Sequence, residues 1–244
     1  MMPQQTVPPE CWRRLWPYHP RTLSHLPPDV LPRFLHPLHC GEEKAVASWL
    51  PAAGAYRVVW SRSGDLEVAR ALGEGARTLL LREEGPVPDA GDSAREVLFW
   101  ERRPDRGPLH DPPERWRPAS PEEYMGWRDA WNREGVSWLR SRAVLDLFAR
   151  HVPLRAYAVH GRGRPVGALL LWQPAPDFLY LVDLTWDPQV GPRTTVRYLL
   201  HELYMYHPQA LAVLDGEWVS SPINRVLLAL GYRVYRRGWE LGER

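Results

Sequence analysis

Prolines at positions 104, 108, 112, 113, 118 and 121 are expected to let no regular element run through residues 104–121. Each ring fixes φ and removes a backbone donor. The segment therefore marks a boundary in a chain of 244 residues, a length that suits one large domain or two small ones. The expected organisation is a small α/β unit over residues 1–105, a proline-rich linker over 106–115 and a larger unit over 116–244.

Upstream of the prolines, Tyr56–Trp60, Thr78–Arg82 and Glu96–Glu101 are short runs rich in β-branched, aromatic and aliphatic residues and read as strands. An amphipathic segment with Leu66, Ala69, Arg70 and Leu72 lies between the first two. Short helices are expected over Asp29–His36 and Glu42–Leu50.

Downstream, the patterns sharpen. Ser120-Pro121-Glu122-Glu123 combines a capping serine, a proline suited to the first helical position and the glutamate of a capping box, so a helix starts there with Tyr124, Trp127 and Trp131 on its apolar face. A second helix over Val136–Arg150 buries Val144, Leu145 and Phe148. Ala156–His160 and Val166–Trp172 flank Gly161-Arg162-Gly163-Arg164, a hairpin signal, and Phe178–Trp186 follows as a third strand. A helix with Val196, Leu199, Leu200 and Leu203 on one face ends before Pro208, and Leu211–Leu214 resumes as a buried strand. Ser221 is a candidate cap for a helix opened by Pro222 and closed by Gly231, and Tyr232–Leu241 reads as the last strand.

This order, a helix pair, a three-strand meander, helix, strand, helix, strand, resembles the GCN5-related N-acetyltransferase (GNAT) superfamily over the C-terminal half of the chain. Two segments carry the likeness: Val182–Pro188 with Gly191–Val196 and Leu199-Leu200, similar to the family's central strand, pyrophosphate loop and following helix; and Ser220–Ile223 through Leu230-Gly231-Tyr232, similar to its Asn-x-x-Ala helix ending in Leu-Gly-Phe. The loop departs from the family pattern Arg/Gln-x-x-Gly-x-Gly/Ala, since Gly191, Thr194 and Val196 stand at those places, and Val196 is expected to crowd an approaching phosphate. The resemblance implies an α/β (α+β) fold: a mixed sheet with flanking helices, preceded by the smaller α/β unit. It also implies transfer of an acetyl group from acetyl-CoA to a primary amine of a small molecule or peptide. The alternative is a non-catalytic protein of the same fold that binds a ligand or partner.

Under that resemblance, the coenzyme is expected at the main chain of Leu184, Thr185 and Trp186 and at the helix start Arg193, Thr194, Thr195 and Val196. Asp183 is the first candidate for the base that neutralises the amine, and Glu217 the second. Their alternatives are a salt bridge to an arginine and a surface loop, respectively. The tyrosine that often protonates the leaving thiolate in the family falls at Leu227.

Other chemistries find less support. His36-x-x-His39-Cys40 fits no standard zinc spacing, and no metal is expected. Cys11 and Cys40 cannot form a disulfide framework. Apolar runs such as Ala168–Trp172 are far too short to span a membrane, and with no apolar leader at the N-terminus a cytoplasmic location is expected. The arginine clusters Arg102-Arg103, Arg162–Arg164 and Arg233–Arg237 are interleaved with aromatic residues, but a net charge of +2 gives no field for nucleic acid, and none is expected as a partner. A homodimer is left open. The 13 tryptophans have two readings, core fillers or the walls of a cleft.

Overall fold

The computed structural model describes residues 30, 35–40, 44–49, 56–61, 77–82, 94–105, 115–131 and 136–241. The chain divides into two compact units, residues 1–97 with 236–244, and residues 98–235. Where the sequence suggests a break at 106–115, the division falls after residue 97, and the C-terminal residues return to the first unit because the last strand pairs there.

In the first unit, β1 (Leu35–Cys40), β2 (Lys44–Trp49) and β3 (Tyr56–Ser61) are joined antiparallel, and β3 pairs parallel with β4 (Arg77–Arg82). The short helix expected over Glu42–Leu50 is instead strand β2, while the one expected over Asp29–His36 lies outside the described residues except at Val30 and at its end, Leu35 and His36, which belong to β1. Proline and histidine flanks disfavour a helix, while Ala45, Val46 and Ala47 lie opposite Trp60, Val59 and Val58 of β3. The end of β11 (Arg233–Leu241) completes this unit: Gly238–Leu241 run antiparallel to Leu81–Thr78, and Val59, Leu80, Trp239 and Leu241 form a small core. The amphipathic segment with Leu66 and Leu72 lies outside the described residues.

The second unit is a mixed sheet in the order β5-β10-β9-β8-β7-β6 with flanking helices. Its strands are β5 (Ala94–Arg102, which enters the unit at Leu98), β6 (Trp116–Ala119), β7 (Leu154–Gly161), β8 (Arg164–Ala175), β9 (Phe178–Trp186) and β10 (Leu211–Trp218). The proline segment does hold a strand after all: β6 contains Pro118, which is tolerated because β6 ends the order and pairs only with β7. The β7–β8 turn passes through Arg162 and Gly163 with φ of 52° and 80°, the positive values a two-residue hairpin turn of the right twist requires.

The capping box forms as the sequence implies. The Glu123 amide donates to Ser120 Oγ at 3.1 Å, the Ser120 amide donates to Glu123 Oε2 at 2.7 Å, and α1 runs over Pro121–Trp131. The next helix divides in two, a 3-10 turn Trp138–Arg140 and α2 (Arg142–His151), each with a serine at its N-cap, Ser137 and Ser141. α3 covers Pro192–Tyr206 and α4 only Asn224–Ala229. Ser221 does not cap α4; Ile223 stands at the N-cap, and the Ser221 carbonyl instead accepts the Asn224 amide.

Both sheet faces are covered. Phe148 of α2 meets Trp172 and Tyr180 on one face, while Val196, Leu199, Leu200 and Leu203 of α3 pack with Leu169, Leu171, Leu179 and Leu181 on the other. Trp60, Trp100, Trp116, Trp138, Trp172 and Trp239 are all buried, which supports the core-filler reading for these tryptophans. Among the described residues, no helix is long and apolar enough to cross a membrane.

Candidate functional site

β9 and β10 are parallel, and their ladder runs through Leu211↔Phe178, Ala212↔Leu179 and Val213↔Tyr180. Past Tyr180 and Val213 the backbone rungs between them give way to an ionic link. Arg140 Nη2 donates to Asp183 Oδ1 on β9, and Arg140 Nη1 donates to Glu217 Oε1 on β10. Arg128 of α1 adds two bonds, from Nε to Asp183 Oδ2 at 2.7 Å and from Nη2 to the Arg140 carbonyl at 2.6 Å.

Local structure explains how these side chains meet. In the β8–β9 pairing Leu170 faces Asp183 and Leu171 faces Leu181, so Val182 is an extra, unmatched residue. That bulge reverses the alternation. Leu181 and Leu184 both point into the α3-side core, and Asp183 turns to the face of α1 and α2. Arg140 is delivered by the 3-10 turn, which is fastened to β10 by the Ser137 amide donating to the Gly216 carbonyl at 2.8 Å and by the bridge Val136↔Glu217.

Asp183, Arg140 and Glu217 side chains are fully buried, and Arg128 is 13% exposed. The four formal charges cancel. Burial alone would lower the Arg140 pKa, but the Asp183 and Glu217 carboxylates outweigh it and hold the guanidinium above its ordinary value. Asp183 therefore sits in the salt bridge to arginine that the sequence left open, and Glu217 lies inside the sheet rather than in a surface loop. The neighbouring Asp215 is also buried and accepts from Tyr235 Oη at 2.6 Å.

The loop before α3 is closed on itself. The amides of Gln189, Val190 and Gly191 all go to Asp187, the first to Oδ1 at 2.9 Å and the others to its carbonyl at 3.0 and 3.1 Å. Asp187 Oδ2 also pairs with Arg164 at 3.0 Å. Gly191 then starts α3 with no side-chain cap, Pro192 follows, and Arg193 and Thr194 are exposed. Thr195 and Val196 turn into the core, so the crowding expected from Val196 does not arise. Gly167 makes that possible: a Cβ there would collide with Thr195 Cγ2 and meet Leu199 at 3.2 Å.

Between the start of α3 and α4 lies a cavity of about 560 Å³ lined by Arg193, Arg197, Ser221, Asn224 and Arg225, among others, with no acidic residue among the described residues of its wall. Ser221 is 5% exposed and its hydroxyl has no hydrogen-bond partner. Of the residues expected to hold coenzyme, Arg193 lines this cavity, Thr194 is exposed beside it, and Leu184, Thr185 and Trp186 lie on β9 past its last rung to β10. Thr185 Oγ1 is buried without a partner. Leu227, at the place of the family's tyrosine, is core. The sequence reading missed Arg128, Arg140, Arg197 and Arg225. An i, i+4 pair, Arg193 and Arg197, was the one available signal.

Solved structures similar to this chain over most of its length include two with a TM-score of 0.50. One is a GCN5-related N-acetyltransferase from Kribbella flavida, 14% identical, covering 88% of this chain and 91% of that chain with a TM-score of 0.50. The other is a functionally unknown conserved protein from Staphylococcus epidermidis, 10% identical, covering 86% and 94% with a TM-score of 0.50. No protein-family model and no curated protein matches the sequence. The fold is that of the GNAT superfamily.

Proposed function

We propose that the unit 98–235 binds acetyl-CoA and transfers its acetyl group to a primary amine. The observation that carries this reading is the arginine-lined cavity at the uncapped start of α3, beside strands that part company after Tyr180 and Val213. A helix N-terminus and guanidinium groups suit a pyrophosphate, and the gap between parted strands suits an extended thioester arm. The lone pair of the neutral amine attacks the thioester carbonyl, the C–S bond breaks, and the nitrogen gives up a proton as the amide forms. A main-chain N–H among Leu184–Trp186 meets the developing oxyanion. The thiolate needs no tyrosine at position 227, because a thiol of pKa about 8.5 leaves tolerably as an anion.

In this reading Asp183 receives the amine proton. Of the two arginines on Asp183, Arg128 is the one with solvent exposure, so an entering acceptor displaces it from Oδ2 while Arg140 stays in place. Glu217 keeps Arg140 oriented. The second reading is a non-catalytic ligand-binding protein, favoured by the two guanidinium groups already on Asp183. Free thiol released from acetyl-CoA, measured across a broad panel of primary amines, tests the two. Turnover with at least one amine is expected; binding of acetyl-CoA with no amine acetylated would leave the second reading.

A further inference from the structure

The loop before α3 has little main chain left to offer a phosphate. Asp187 consumes the amides of Gln189, Val190 and Gly191, and Pro192 has none. Only the first-turn amides of Arg193 and Thr194 point outward from an uncapped helix. The cavity wall, by contrast, carries three exposed arginines, and none of them has an acidic partner among the described residues. Arg193 and Arg197 stand one turn apart on α3, and Arg225 stands on α4. Two amides and Arg193 are enough for a pyrophosphate, so two guanidinium groups are surplus to it. Uncompensated cations in one wall repel each other, and an additional anion relieves that repulsion.

Two residues of the same wall also carry buried polar atoms without a partner. Ser221 is nine-tenths buried with an unpartnered hydroxyl, and Asn224 Oδ1 is likewise unpartnered while its Nδ2 donates to the carbonyls of Trp218 and Val219 at 2.9 Å each. A buried hydroxyl without a partner is costly.

Resting on the acetyl-CoA reading above, we infer that Arg197 and Arg225 bind the 3′-phosphate of the coenzyme's ribose and make the protein selective for the 3′-phosphorylated form. Arg193 and the α3 amides take the pyrophosphate, and recognition moves from loop backbone to side chains. Other phosphorylated nucleotides share this chemistry, so the test compares them directly.

Calorimetric titration with CoA, 3′-dephospho-CoA and adenosine 3′,5′-bisphosphate, on the whole chain, decides the matter. CoA is expected to bind about 10- to 100-fold tighter than dephospho-CoA, the range of a charged hydrogen bond. The Arg197→Ala and Arg225→Ala variants should lose most of that ratio while keeping their affinity for dephospho-CoA. Both residues are exposed, so thermal midpoints close to wild type are expected. Should a variant fail to fold, the wild-type ratio stands as the test by itself. Equal wild-type affinity for the two coenzymes overturns the inference but leaves the acetyl-CoA reading intact. Binding of the bisphosphate alone, with no gain from the pantetheine arm, overturns the assignment to a coenzyme and leaves a nucleotide site. Failure of all three to bind overturns the acetyl-CoA reading and the inference with it.

Discussion

Arg140 and Asp183 form an ion pair between two fully buried side chains, one on the 3-10 turn after α1 and the other on β9. The same guanidinium reaches Glu217 on β10, so it links two strands past the end of their backbone ladder. Removing it takes a shared cation from two carboxylates in a low-dielectric interior, with Arg128 still on Asp183. Arg140→Met should therefore cost about 3–5 kcal/mol, read as a shift of the urea midpoint. Arg142, half exposed and paired with Asp129 and Asp146 on the surface, is the control, and Arg142→Ala should cost under about 1 kcal/mol. Equal effects would mean that the buried bridge adds nothing beyond a surface pair.

Asp183→Asn keeps the shape of the side chain and removes its charge. If the carboxylate takes the amine proton, turnover per folded molecule should fall about a hundred- to ten-thousandfold, with acetyl-CoA affinity nearly unchanged. Stability should fall as well, because Arg128 and Arg140 lose a counter-charge. Measuring turnover and thermal midpoint on one preparation separates the two effects. A rate loss that only tracks the unfolded fraction would assign Asp183 to the ion network alone.

Tyr232 supplies a prediction about alkaline pH. Burial raises its pKa from the ordinary 10.0 to about 12, slightly offset by Arg102. The folded state thus favours the neutral phenol, and the associated stability is fully present below pH 10 and is lost as pH rises from 10 through about 12. The loss approaches about 3 kcal/mol, at about 1.4 kcal/mol per unit. Denaturation midpoints at pH 8, 10 and 11 should fall less steeply for Tyr232→Phe than for wild type. Parallel slopes would show that another group controls the decline.

Much of the second unit was legible because its signals are local. Ser120 and Glu123 lie three residues apart and cap each other, Arg162-Gly163 sets the hairpin, and the 3.6-residue spacing of Val196, Leu199, Leu200 and Leu203 names the buried face of α3. What stayed hidden depends on distant partners. Position 118 carries a proline yet belongs to a strand, which only its place at the sheet edge permits. Residues 35–40 and 44–49 are strands because β3 and β4 extend their sheet, not because of a strong pattern of their own. The bulge at Val182 decides which face Asp183 occupies, yet no turn residue announces it. Arg140 is invisible for a similar reason: an arginine between Leu139 and Ser141 reads as exposed until the sheet brings two carboxylates to it.

In the proposed function acetyl-CoA binds with its pyrophosphate at the start of α3. Calorimetric titration of acetyl-CoA into wild type and into Arg193→Glu tests this, since Arg193 is exposed and lines the cavity. Saturable binding to wild type is expected, with a loss of about 1.5–3 kcal/mol in the variant, the range of a charged hydrogen bond to phosphate. No binding to wild type, or the same affinity in both proteins, would contradict it.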